Sequence, residues 1–112
     1  MGRKGVNELA SVEQLSDTFK LLSDKTRLSI LAMLKEKEMC VCDIVEILET
    51  TQPNVSQHLK KLKNGGLIHE TRRRQWIYYS LNVKDKPYLQ EVLNELPSMK
   101  EQISARSAQS CN

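Results

Sequence analysis

The sequence predicts a mainly α-helical domain carrying a small β-hairpin, and three observations predict it. Apolar residues recur at helical spacing along most of the chain. The period shortens toward two only after Gly66, over residues 67–81. Just before that change, two short helical segments meet at Glu49-Thr50, and the second has a polar outer face. Two short helices joined by a tight turn and followed by a hairpin make a winged helix-turn-helix. A chain of 112 residues suits one domain with a modest core that a partner subunit would help to complete. The expected divisions are a flexible arm over 1–8, a DNA-binding and dimerisation domain over 9–96, and a largely mobile C-terminal extension over 97–112.

The first helix is expected to start near Ser11, with Gln14 completing a capping box. Val12, Leu15, Phe19 and Leu22 then form an apolar stripe, either core or a subunit contact. Ser23 is a good N-cap for the second helix, whose buried side is Leu28, Ile30, Leu31 and Leu34, and KEKE at 35–38 reads as a solvated exit. Met39 to Asp43 reads as a short extended piece running into a third helix, buried through Ile44, Ile47 and Leu48. Thr51 N-caps the fourth helix and Pro53 sits in its first turn. Val55, Leu59 and Leu62 face the core, and Asn64, Gly65 or Gly66 ends the helix in a left-handed conformation. Residues 67–71 and 76–81 are the two hairpin strands, with Arg72-Arg73-Arg74-Gln75 as the tip. Without a glycine there, a longer loop is expected rather than a two-residue turn. Asp85 and Pro87 open a last helix, with Leu89, Val92, Leu93 and Leu96 on one face and Pro97 ending it. The first and last helices carry more apolar surface than one small domain needs, which predicts a two-fold dimer.

Charge is unevenly placed. Residues 51–75 hold Lys60, Lys61, Lys63, Arg72, Arg73 and Arg74 against Glu70 alone, a net +5, so the rest of the chain is −2 within the overall +3. That concentration suits a phosphate backbone. The candidate groove-reading face of the fourth helix is Gln52, Asn54, Ser56, Gln57, Lys60 and Lys61, with amides and a hydroxyl for base edges and lysines for phosphates, and His58 of the same helix is expected to face DNA or to pack against a neighbouring helix. The plainer reading of this face is a solvated polar surface. The triply basic tip, Arg72, Arg73 and Arg74, is expected at the backbone or in a minor groove. No apolar run approaches a membrane span, and the N-terminus lacks a signal core, so a cytoplasmic protein is expected.

Cys40 and Cys42 are the most informative pair. In extended chain, residues i and i+2 point the same way; in a regular helix they lie about 200° apart. Their sulfurs therefore share an ion only at a strand–helix junction or an irregular first turn. A helix N-terminus there favours thiolate, with Asp43 working against it. Two thiolates suit thiophilic ions, whereas C-V-C fits neither the spacing nor the ligand number of a structural zinc site. The plainer reading is two small buried hydrophobes. Cys111 is either a third sulfur, in cis or across a dimer, or an incidental exposed thiol.

Several stretches resemble the ArsR/SmtB metal-sensing repressors: LSDKTRLSIL at 22–31, EMCVCDI at 38–44, TQPNVSQHLKKL at 51–62, GLI at 66–68 and RRRQWIYYSL at 72–81. The likeness covers about residues 9–96. It implies a homodimeric winged helix that represses an arsenical resistance operon, binds double-stranded operator DNA with an inverted repeat, and leaves when an inducer binds. No obligatory cofactor and no membrane or RNA partner is implied. By position, Cys40 and Cys42 resemble the family's thiolate ligands at the third helix, and Ser56, Gln57, His58 and Lys60 its DNA-reading face. This chain departs from the arsenite-sensing pattern at Val45, where a third cysteine stands. It also has no cysteine before residue 40, unlike the cadmium and lead sensors, and no histidine after residue 81, unlike the zinc sensors. Arsenite or antimonite is therefore the expected inducer. The alternatives are a thiol-based redox repressor of the same fold and a cadmium, lead or zinc sensor. An enzyme is not expected, because C-V-C is not the C-x-x-C redox motif and no paired catalytic groups are evident.

Overall fold

Six helices and three short strands succeed one another in a computed structural model that describes the backbone of residues 2–107 and the side chains of residues 12–105. In chain order they are α1 (Gly2–Leu22), α2 (Lys25–Glu36), β1 (Met39–Cys40), α3 (Val41–Leu48), α4 (Gln52–Asn64), β2 (Ile68–Arg73), β3 (Trp76–Leu81), α5 (Pro87–Asn94) and α6 (Lys100–Ser107). This is a winged helix-turn-helix: α3 and α4 are the paired helices, and β2–β3 is the wing.

α1 begins nine residues before the expected start, so Ser11 is interior and the arm expected over 1–8 is helical from Gly2. Gly5 costs about 1 kcal/mol in a helix, but no proline interrupts residues 6–10. The cap of α2 is Asp24 rather than Ser23: Arg27 N–H donates to Asp24 Oδ1 at 3.0 Å, while the Ser23 hydroxyl turns back to the Lys20 carbonyl at 2.7 Å. The backbone N–H of Arg27 holds the Asp24 carboxyl below the usual carboxylate range. Ile30, Leu31, Met33, Ile44, Val55, Leu59 and Leu62 are all essentially inaccessible, so α2, α3 and α4 share one core. Met33 belongs to it although the apolar stripe did not include it.

The end of α4 is pinned by glycines. Gly66 takes φ 79°, open to glycine at little cost. A β-carbon on Gly65 would collide with the Leu21 side chain of α1. The chain then enters a three-stranded antiparallel sheet of order β1-β3-β2. In the hairpin Ile68 pairs with Leu81 and Arg73 with Trp76, so only Arg74 and Gln75 form the turn. This corrects the longer loop expected from the lack of glycine: Arg74 itself adopts φ 60°. β1 adds a third strand through Met39↔Tyr79 and Cys40↔Tyr78, a pairing the sequence did not reveal.

Leu89 and Leu93 bury α5, and α2 ties down its C-terminal end, where Lys35 Nζ donates to Leu93 O at 3.2 Å and, just past the helix, to Leu96 O at 3.3 Å. The expected cap, Asp85, instead sits one residue too early and pairs with Lys86. Within the C-terminal extension, residues 100–107 form α6. α6 lies against α2 and α3, and Ile103 is buried in the common core. Among the described residues, no helix is long and apolar enough to cross a membrane.

Candidate thiol site and nucleic-acid interface

The sulfurs meet because the backbone changes form between them. Cys40 ends β1 in an extended conformation, φ −87° and ψ 165°, and is the N-cap of α3; Cys42 is the second helical residue. Neither the alternation of a strand nor the rotation of a helix separates them, and Sγ lies 2.7 Å from Sγ. Asp43 completes the cluster, with Oδ2 accepting from Cys40 Sγ at 3.4 Å. The three donor atoms lie within 4.8 Å of one another, and this is the one such group of three among the described residues. Sequence reasoning treated Asp43 only as a charge beside the thiols. The available signal was its spacing: the third residue after an N-cap returns toward the cap side chain.

Cys40 is buried, while Cys42 and Asp43 are half-buried. Burial pushes the Cys40 thiol above its ordinary range; the Asp43 carboxylate adds to the rise, against the lowering by backbone N–H groups of Asp43 and Cys42. The helix N-terminus therefore does not produce the favoured thiolate expected from position alone. Val45 follows one turn later and packs against the core. Cys111 lies outside the described residues.

α3 passes to α4 through a short, well-tied turn. Glu49 takes φ 53° and ends α3. Thr51 Oγ1 accepts from Asn54 N–H at 3.3 Å, and Asn54 Nδ2 donates to Thr50 Oγ1 at 3.1 Å. Asn54, a candidate base reader, is thus half-buried and holds the turn. Gln52, Ser56, Gln57, Lys60 and Lys61 remain exposed on the outer face of α4.

His58 is not on that face. Its side chain is 15% exposed, with Nδ1 3.3 Å from Arg27 Nη1 and 4.0 Å from Asp24 Oδ1. Three residues from Val55 and four from Leu62, it lies on the flank of the buried stripe. Of the two roles the sequence left open for His58, DNA-facing or helix-packing, the contacts fit the second: it packs α4 against the start of α2.

The wing divides its three arginines. Arg72 is exposed on β2 and Arg74 forms the turn. Arg73 reaches back to Glu38, just before β1, with Nη1–Oε1 2.6 Å and Nη2–Oε2 3.0 Å, and its guanidinium lies 5.0 Å from the centre of the Tyr78 ring. Lys63 is paired with Glu70 at 2.6 Å. Among the described residues no carboxylate pairs with Lys60, Lys61, Arg72 or Arg74. Glu38 was read as part of a solvated run; its partner stands 35 residues away, beyond any local signal.

Residues 24–70 match the family described as bacterial regulatory protein, arsR family. The arsenical resistance operon repressor of Escherichia coli K12 is 36% identical over 78 residues, covering 69% of this chain and 67% of that protein. The chain belongs to the arsR family. Among solved structures, reduced HlyU of Vibrio cholerae has a TM-score of 0.70 at 27% identity, covering 79% of this chain and 93% of that one. The homodimeric winged helix-turn-helix domain Mb0332 of Mycobacterium bovis has a TM-score of 0.69 at 28% identity, covering 78% and 81%. As an arsR-family protein the chain is a DNA-binding transcriptional repressor, not an enzyme. In this arsR-family chain the sulfur pair opens the first helix of the helix-turn-helix.

Proposed function

We propose that this repressor holds an inverted-repeat operator as a homodimer in the cytoplasm and releases it when trivalent arsenic or antimony bonds to Cys40 and Cys42. The observation that carries the reading is the 2.7 Å approach of two soft donors at the N-terminus of α3. The likeness to an arsenical resistance repressor supports the choice of ion. Operator contacts are assigned to Gln52, Ser56, Gln57, Lys60 and Lys61 of α4 and to Arg72 and Arg74 of the wing, all exposed. Asn54 and His58 position α4 rather than read bases.

Release follows from geometry. Bonding both sulfurs to one atom fixes Cys40 and Cys42, which sit on β1 and α3, in a single relative position. Movement of α3 reaches α4 through the Glu49–Thr51 turn. The inducer needs different affinities for the two conformations, and coupling of this kind is typically about 1–3 kcal/mol.

The test titrates arsenite, antimonite, cadmium and zinc into the protein–operator complex in a non-thiol reductant, with release read by fluorescence anisotropy. The unaltered chain is expected to release at lowest concentration with arsenite or antimonite. Cys40→Ser and Cys42→Ser are expected to bind operator normally and to ignore both. Normal release from either variant overturns the assignment. The same sulfur contact favours a second reading, thiol oxidation; release by peroxide without metalloid, and none by arsenite in reductant, would select it.

A further inference from the structure

Arg27 sits where three helices meet. From α2 its guanidinium reaches back to the end of α1, with Nε donating to Leu21 O at 2.7 Å and Nη2 to Lys20 O at 3.3 Å. Its third arm, Nη1, lies 3.3 Å from His58 Nδ1 on α4. Its backbone N–H donates to Asp24 Oδ1 at 3.0 Å, and that oxygen stands 4.0 Å from the same Nδ1. We propose that Arg27 is a positioning residue for DNA binding, clasping the reading helix α4 to α1 and α2, and that the clasp holds only while His58 is neutral. The proposal stands on the DNA-binding role of the chain and makes no use of the thiol site.

The chemistry of the side chains sets the direction. A guanidinium has only donors, so in this contact Nδ1 is the acceptor and the ring proton is on Nε2. A second proton, at Nδ1, removes that acceptor and sets two cations face to face. Asp24 Oδ1 accepts a hydrogen bond and offers none. It stays ionised as His58 titrates, because the Arg27 backbone N–H holds the Asp24 carboxyl below the usual carboxylate range. Protonation therefore moves Nδ1 from Arg27 to Asp24. The tie to α2 is re-made one turn earlier, while the tie through Arg27 to α1 is lost. The His58 side chain is only 15% exposed, so solvent screens this exchange little. Lys20, at the end of α1, and Lys61, one turn on along α4, are exposed and, among the described residues, pair with no carboxylate.

The probe is a fluorescein-labelled duplex that the unaltered chain selects from a random library at about pH 8, with affinity read by anisotropy at fixed ionic strength. Between about pH 8 and about pH 5.5, either side of the ordinary imidazole range, the unaltered chain is expected to lose affinity about fivefold, the lower end of coupling between sites. His58→Asn keeps an oxygen acceptor near the place of Nδ1 but does not titrate, and is expected to lose the pH step. Arg27→Lys keeps the charge without the fork, and is expected to bind more weakly at both pH values and to show no step. The second histidine, His69, is exposed on β2 and serves as the control. No step in the unaltered chain, an equal step in both variants, or a step that vanishes in His69→Asn and persists in His58→Asn overturns the proposal. The ring is also read directly in the unaltered chain, whatever the variants do, by long-range proton–nitrogen correlation. At about pH 8 His58 is expected as the Nε2–H tautomer, and the Nδ1–H tautomer overturns the contact with Arg27.

Discussion

Arg74 holds a strained backbone position at the tip of the wing. It occupies φ 60° at the first position of a two-residue turn, a conformation disfavoured by about 1–2 kcal/mol for a residue with a β-carbon. Glycine would relieve it. Arg74→Gly is expected to raise folding stability by about 1 kcal/mol in urea melts and to weaken operator binding. The slope of log affinity against log salt should become shallower by about 2 for a dimer, one phosphate contact per wing. A variant that gains stability and binds operator as before would remove Arg74 from the interface. The pairing of Cys40 with Cys42 was legible because the i, i+2 geometry allows few solutions. The duties of Asn54 and His58 were not, because a polar residue beside a buried stripe reads the same whether it faces solvent or packs through a hydrogen bond.

At the level of elements, β1 is the least legible part and the most connected. Two residues long, it is too short to carry a periodic signal, yet it joins the thiol site to the wing. Cys40 pairs with Tyr78, and Glu38 just before it clamps Arg73 over that same ring. The proposed bonding of an ion to the sulfurs would thus have a route to the wing besides the one through α3. Glu38→Gln is expected to release Arg73 for phosphate and to tighten operator binding severalfold at low salt, the scale of an exposed ion pair. It should also blunt arsenite-driven release. Unchanged affinity together with unchanged release would leave the α3–α4 turn as the whole pathway. The longer elements were legible, since α2, α4 and α5 each repeat their apolar pattern over at least two turns. The early start of α1 and the presence of α6 were not, because weakly apolar segments are decided by contacts rather than periodicity.

The whole molecule is more extended than its length requires, with a radius of gyration of 15.4 Å against roughly 13 Å for a compact chain of this size. Along α1, Val12, Leu15 and Phe19 stay exposed, and Phe19 meets Tyr88 of α5 with ring centres 6.3 Å apart. Beside them runs an open groove of about 590 Å³, lined by Leu15, Thr18, Leu21 and Tyr88 among others. The groove itself is mixed, with Gln14, Asp17, Asn64, Asp85 and Lys86 also on its walls, and the apolar part of this face is the exposed row Val12, Leu15 and Phe19. In the proposed homodimer a two-fold partner would cover this face and supply the second α4 for half-sites about 34 Å apart. Phe19 is the anchor to test, because its ring is exposed in the single chain and its loss leaves the buried core in place. Phe19→Glu is expected to weaken dimerisation by about 2 kcal/mol or more, as aromatic interface anchors do. Sedimentation should then report monomer at micromolar concentration while circular dichroism stays unchanged. Operator affinity should fall on the inverted repeat far more than on an isolated half-site, because only the former uses both reading helices at once. A dimer that persists with full operator affinity would move the subunit contact away from α1, and the spacing of the two reading helices would need another source.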